Sequence, residues 1–359
     1  MKRLASLDFM RGFIMVLLML ESAGLYESLY KANENNAFEA LFIQFFHHPW
    51  NGLRFWDLIQ PGFMFMAGIA MAYSLQNQEK AGFTYAQSLR KTLKRSAWLF
   101  FWGVLDYAVR KTGLSFELWD VLTQLSVTTL ITFFVFRWPF TIQIFASIVI
   151  LLATEALYRF THIPNFDQPF VDQHNFGNYM DLLLMNKINK GGWVAINCLP
   201  TAVHTIAGAM VGKLFIKNET PLKWLLISAI GCLIIGYGLD FIQVTPIIKR
   251  IATSSFTLAS LGWCLLGIAT CYYWIDTKNH QKHLSFFTIV GMNSIFIYLF
   301  FEIVGHRWFN GYIEQITTGL LGIVSAPTFL LNLVTSLTIF GLEWGMCYFL
   351  YQKKIFFRV

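Results

Sequence analysis

Charge is what this chain has least of. Only 13% of its 359 residues are Asp, Glu, Lys or Arg, about half the roughly 25% of an ordinary soluble domain. That excludes a protein wetted over its whole surface. Cysteine is sparse too. The five, Cys198, Cys232, Cys264, Cys271 and Cys347, all lie in apolar runs without Cys-x-x-Cys spacing. They read as small buried hydrophobes, not as a disulfide framework or a redox pair. No His-x-x-x-His pattern is present, so no metal is expected. A cleavable leader is not expected either. Asp8 and Arg11 enter the region that would have to be apolar, and no small-residue cleavage site follows. No internal repeat is readable, which weighs against the inverted-repeat transporters. The net charge of +7 sits in short segments between apolar runs. Membrane orientation accounts for it, and no nucleic-acid partner is expected.

Hydrophobic residues are abundant: 56% of the chain, with 36 Phe and 12 Trp, and a mean hydropathy of +0.52. A helix needs about 20 mostly apolar residues to cross a bilayer. Apolar stretches predict spans near 9–29, 55–76, 93–112, 117–137, 139–159, 193–215, 223–243, 254–275, 284–304 and 326–351. Phe38–Phe46 is apolar but short, and reads as an interfacial or re-entrant helix. Thr317–Ser325 would make an eleventh membrane segment. The expected fold is all-α: a polytopic transmembrane bundle of about 10–11 helices, one domain over 1–359. Lys and Arg favour the side that carries both termini, which places those termini in the cytoplasm. His47, His48 and the long 160–192 segment then face outward. That segment holds His162, Asp167, Asp172, His174, Asn175 and Asp181. It reads either as a cap over a site, together with the 30–54 loop, or as a solvated connector.

The chemistry concentrates at His47-His48-Pro49-Trp50-Asn51-Gly52, which leads into Asp57. A titratable imidazole at a membrane edge is expensive to keep and marks a candidate site. Neighbouring histidines do not share a helical face, so one of the two points at a given substrate. Asp57 would need a partner, an imidazole or Arg54. It either orients a catalytic histidine or caps a helix N-terminus. Asp8 and Arg11, three apart, share one face of the first helix, and Gly12 permits close helix approach. They read as an anion contact or as an ion pair that fixes packing. Glu21 and Ser22 lie near the outer end of that helix. Asn293, Ser294 and Tyr298 stand in the ninth span, with Glu302 and His306 beyond. They read as interhelical hydrogen-bonding groups or as substrate contacts. Lys249, Arg250, Thr253, Ser254 and Ser255 form a polar approach to the eighth span.

Six segments in order carry a family resemblance. They are Ser6-Leu7-Asp8-Phe9-Met10-Arg11-Gly12; His47-His48-Pro49-Trp50-Asn51-Gly52-Leu53 with Asp57-Leu58 and Pro61; and Leu199-Pro200 with Gly208 and Gly212. Thr253-Ser254-Ser255-Phe256, Gly291-Met292-Asn293-Ser294 and Leu350-Tyr351-Gln352-Lys353-Lys354-Ile355-Phe356 follow. Together they resemble the heparan-alpha-glucosaminide N-acetyltransferase family and its bacterial relatives, over nearly the whole chain. Three positions depart from the family pattern. Ser22 stands where relatives carry Asn, Thr123-Gln124 aligns with a Gln-Arg pair, and Phe301 replaces a histidine before Glu302.

The resemblance implies a membrane-bound acyltransferase, working in a bacterial inner membrane. It would take acetyl-CoA from the cytoplasm and acetylate an amino sugar or related glycan, on N or O, on the outer side. It selects His47 over His48 as the catalytic histidine. On that basis His47, Asp57 and Asn51 form the expected catalytic set, with Asn51 or Asn293 donating to the oxyanion. Glu21, Ser22, His48, Trp50, Asn293, Ser294 and Glu302 are the expected acceptor contacts. Asp8, Arg11, Ser254 and Ser255 are the expected acetyl-CoA contacts, and no metal is involved. Membrane lipid is an expected partner, and a homo-oligomer is compatible with the sequence. The rival reading is a transporter or flippase for a sugar or lipid-linked glycan.

Overall fold

The computed structural model describes residues 4–109, 114–217 and 221–357. Lys2, Arg3, Arg110, Lys111 and Arg358, which enter the loop-charge bias, lie outside the described residues, as does the end of the expected 93–112 span. The protein is all-α. Among the described residues there is no strand, only one isolated antiparallel bridge between Asn51 and Ile248.

Each of the ten expected spans falls on helix. Six helices are long and apolar enough to cross a membrane, and two bent helix pairs bring the number to eight if each crosses as one. The Val121–Phe136 helix is apolar but shorter. Tyr85–Ala108 carries Arg90, Lys91, Lys94 and Arg95 in its first half, and that charge keeps it from qualifying. Arg90 and Lys91, which precede the expected 93–112 span, lie on this helix too, opened by Thr84 and Gln87 in a reciprocal capping box. The chain forms a polytopic helical membrane protein with two compact units, Met1–Phe46 with Cys271–Val359, and His47–Thr270.

In the first unit, Ala5–Ser22 begins on a side-chain cap. Asp276 accepts from the Ala5 and Ser6 N–H groups at 3.1 and 3.0 Å, so an anion sits at the positive end of the helix. The helix lies against Ser285–Met292 at Gly12, where a Cβ would fall 1.9 Å from the Phe287 carbonyl oxygen. The expected 9–29 span is not straight. It turns by 64° at Ala23–Gly24 into Leu25–Ala32, with Gly24 at φ +77° supplying a backbone that other residues resist. Phe38–Phe46 is a single short turn of helix, Glu39–Phe42, followed by a 3-10 turn. The ninth span also bends, by 74° at Asn293, and runs on through a π-helical stretch, Phe300–Phe309, to Gly322. Most of Thr317–Ser325 is therefore the end of this broken helix.

In the second unit, Ile59–Lys80 and Cys198–Lys217 pack closely along their length. Cβ atoms at Gly68 and Gly208 would fall 2.1 and 1.9 Å from the carbonyl oxygens of Thr205 and Phe65. In lipid no hydrophobic force draws helices together, so small residues that admit close backbone approach hold such a pair. Val121–Phe136 packs on Cys198–Lys217 and on Tyr85–Ala108. The 160–192 segment is no plain connector. It contains the Phe176–Met185 helix, and Asn175, Asn178 and Asp181 are fully buried. Phe176 joins Tyr158, Val194, Ile248 and Ile251 in a hydrophobic cluster that Trp50 packs against.

Candidate functional site

The site lies in the second unit, where three stretches distant in sequence are tied together. His47–Leu58 is joined to Pro246–Thr253 by the Asn51–Ile248 bridge and by the Gly52 N–H, which donates to the Ile247 carbonyl at 2.8 Å. Val194–Asn197 joins through Arg250, whose carbonyl accepts from the Val194 N–H at 3.4 Å and from Asn197 Nδ2 at 3.2 Å. The Pro246–Thr253 turn is itself fixed. Thr253 Oγ1 donates to the Pro246 carbonyl at 2.7 Å and accepts from the Ile248 N–H at 3.0 Å.

Asp57 sits at the centre, 1% exposed. Its Oδ2 accepts from the backbone N–H groups of Arg54 at 2.9 Å and His48 at 3.2 Å. Its Oδ1 lies 3.0 Å from His47 Nδ1 and 3.5 Å from Lys249 Nζ. Asp57 thus fills both roles the sequence offered, helix start and imidazole partner. Arg54 contributes its backbone N–H to the carboxylate, while its guanidinium donates to the His47 carbonyl at 3.0 Å.

The two histidines part company. The His48 ring lies over Gly52, where a Cβ would fall 2.6 Å from His48 Nε2. Gly52 also adopts φ +149°, so this position needs glycine on both counts. His47 points to Asp57 and Lys249, with 39% of its side-chain surface open. The Trp193 ring meets its edge at a centroid distance of 5.8 Å and 75°. Lys249 is 7% exposed at its side chain; its Nζ lies 3.0 Å from His47 Nδ1 and 5.3 Å over the Trp193 ring. Loss of hydration and the Lys249 charge push the His47 imidazole down to about 4, against the opposing pull of Asp57. His47 is therefore an uncharged ring at neutral pH. The His48 ring is also lowered, by burial and by Arg54.

Trp50 anchors the loop. Its indole N–H donates to the Phe170 carbonyl at 2.7 Å, which pins the 160–192 segment to the histidine segment. Asp181 holds the next stretch, accepting from the Ala195 N–H at 2.8 Å and Trp119 Nε1 at 2.9 Å. Burial pushes its carboxyl up to about 7. Ser254 Oγ donates to Glu155 at 3.3 Å, and Ser255 Oγ, fully buried, donates to the Pro246 carbonyl at 2.7 Å. Asn51 is exposed beside the bridge.

The remaining expected residues belong to the first unit. Asp8 and Arg11 form an ion pair at 3.5 Å. Glu21 is exposed, and the Ser22 carbonyl accepts from Asn310 Nδ2 at 2.8 Å. Asn293 is buried with both ends of its amide engaged by the tail: Nδ2 donates to the Ile355 carbonyl at 3.1 Å, and Oδ1 accepts from the Phe357 N–H at 2.9 Å. Ser294 and Glu302 are half-buried, both on the stretch that follows the bend.

Lys249 and Trp193 are the site residues that sequence reasoning did not select. The sequence offered Lys249 only as part of the polar approach to the eighth span, with no role assigned to it. Among the described residues, no group of three or more His, Cys, Asp or Glu side chains is arranged to hold a metal ion.

A polytopic helical membrane protein here holds an imidazole against a buried carboxylate, an arrangement that can accept and release a proton. The family model described as "Heparan-alpha-glucosaminide N-acetyltransferase, catalytic" matches residues 3–233. The chain belongs to this family of membrane-bound acetyltransferases. The matched stretch contains His47, Asp57 and Trp193 and ends before Lys249. No curated protein matches the chain.

Proposed function

We propose that this protein transfers an acetyl group from cytoplasmic acetyl-CoA to an amino sugar or related glycan on the outer side of a bacterial inner membrane, with His47 as the reacting base. The observation that carries this reading is the His47–Asp57 contact at 3.0 Å within a carboxylate that is otherwise fully hydrogen-bonded. With its Nδ1 proton on Asp57, His47 presents a lone pair at Nε2. That lone pair takes the proton of the acceptor amine or hydroxyl as it attacks the thioester carbonyl. The C–S bond then breaks and the proton passes to the departing CoA sulfur. The exposed Asn51 side chain is the donor assigned to the developing oxyanion.

Trp193 and the 160–192 segment cap the site and limit water. Trp50 and His48 hold that cap and the histidine segment in place and form the acceptor wall. Arg90, Lys91 and Lys94, exposed on the Tyr85–Ala108 helix, are the partners assigned to the CoA phosphates. Asp8, Arg11, Ser254 and Ser255 complete the assigned donor contacts. Glu21, Ser22, Asn293, Ser294 and Glu302 complete the assigned acceptor contacts.

The test uses purified protein in detergent with labelled acetyl-CoA and a panel of glucosamine-type acceptors. His47→Ala is expected to lower label transfer by about 10²–10⁴-fold, the usual worth of a positioned acid–base group. Equal transfer by wild type and variant overturns the mechanism. Acceptor flux into liposomes without CoA consumption makes the protein a transporter instead. Ping-pong kinetics would mark a transient acetyl-His47, and an obligatory ternary complex would mark direct transfer.

A further inference from the structure

His47 Nδ1 has two partners at hydrogen-bond distance and can serve only one at a time. Asp57 Oδ1 stands 3.0 Å away on one side and Lys249 Nζ stands 3.0 Å away on another. A ring nitrogen carries either a proton or a lone pair. With the proton on Nδ1 it donates to Asp57, and Nε2 is a lone pair. With the proton on Nε2, Nδ1 accepts from the Lys249 ammonium. Each tautomer of the neutral ring has a ready partner.

We infer that Lys249 is a positioning residue of the catalytic centre. It is the alternate partner of His47 Nδ1, and with Asp57 it sets which tautomer the neutral ring presents at Nε2. The catalytic meaning rests on the function proposed above; the tautomer pair does not.

The charges around the ring agree. Asp57 supplies one negative charge and Lys249 one positive charge, 3.5 Å apart and both buried, so the pair is balanced before the imidazole is counted. Arg250 adds positive charge to the surroundings of both histidines, and Arg54 to those of His48. An imidazolium would be a surplus cation beside Lys249. The resting ring therefore stays neutral and shifts only between its two tautomers. During transfer Nε2 takes the acceptor's proton, and the added positive charge is shared over the His47, Asp57 and Lys249 cluster until Nε2 gives that proton to the CoA sulfur. Lys249 cannot drift out of this position. It is 7% exposed at its side chain, under the Trp193 ring, on a turn tied to Asn51, Gly52, Val194 and Asn197.

The experiment is ¹⁵N NMR of histidine-labelled full-length protein in detergent, with His47→Gln assigning the signal. In wild type, His47 is expected to show the averaged shifts of two neutral tautomers near pH 7 and to protonate near pH 4. In Lys249→Met the ring should settle in the Nδ1–H tautomer and its midpoint should rise toward the ordinary imidazole value, about 6.5. Lys249→Arg, which keeps the charge, should hold the midpoint low. The acid limb of the acetyl-transfer profile should move with the midpoint in each variant.

A wild-type midpoint near 6.5, or a Lys249→Met ring with unchanged midpoint and tautomers, overturns the inference. The wild-type spectrum alone decides the first of these, even if Lys249→Met does not fold. Transfer that survives His47→Ala beside an unchanged wild-type spectrum would sink the proposed function and leave the tautomer pair standing.

Discussion

Asp57 and Glu343 are both enclosed carboxyl groups on candidate membrane spans, one in each unit, 1% and 0% exposed. Asp57 is met by two backbone N–H groups, an imidazole and an ammonium. Among the described residues Glu343 has no hydrogen-bond partner on either oxygen; its Oε1 faces the notch at Gly305, as does Asn310 Oδ1, which has none among them either. Burial alone therefore does not tell the two carboxyl groups apart. Asp57 is held in one place by groups that would themselves be stranded without it, and that mutual dependence is what fits it to fix a histidine. Among the described residues no hydrogen-bond donor is held by Glu343.

Three substitutions sharpen this contrast. Asp57→Ala leaves Lys249 buried and uncompensated, along with two backbone donors. The expected loss is about 3–5 kcal/mol, read by thermal melting in detergent; a smaller loss than that from Glu343→Ala would reverse the comparison. Glu343→Met removes a carboxyl whose desolvation nothing offsets and replaces it with a side chain of similar length. Stability should rise by about 1–3 kcal/mol, and a drop in the melting temperature would show that Glu343 has a partner in the membrane. Trp50→Phe keeps the ring packing of the loop and removes only the bond to Phe170. It should cost about 0.5–1.5 kcal/mol, with a larger loss in transfer rate than in stability if the 160–192 segment caps the site.

The His47–Asp57 pair was legible in the sequence because its partners are ten residues apart and its histidines stand out in an apolar chain. The helices were legible because lipid demands long apolar runs. The bends were not. At Ala23–Gly24 and at Asn293 the hydrophobic pattern continues across the break, and only backbone geometry interrupts it. Asn293 looked like a polar group waiting for a substrate, yet its amide holds Ile355 and Phe357, contacts that exist only once the tail returns. Lys249 was hidden for the same reason. A lysine before a span is ordinary orientation charge, and nothing local shows that this one turns inward to meet a residue 202 positions earlier.

That separation has a consequence for how the protein is made. Asp57 enters the membrane with the second expected span, but its ammonium partner is not synthesised until five more expected spans have been read. Through that interval the carboxylate has only its local backbone donors and His47, and the turn that seats Lys249 has no Asn51 to bridge. The centre closes by a contact of high sequence separation, whose loop-closure entropy is met late. A ribosome stalled before Pro246 should therefore leave an inserted chain in which His47 titrates as an ordinary histidine beside a carboxylate, and the low-basicity ring should appear only after the eighth expected span is in place.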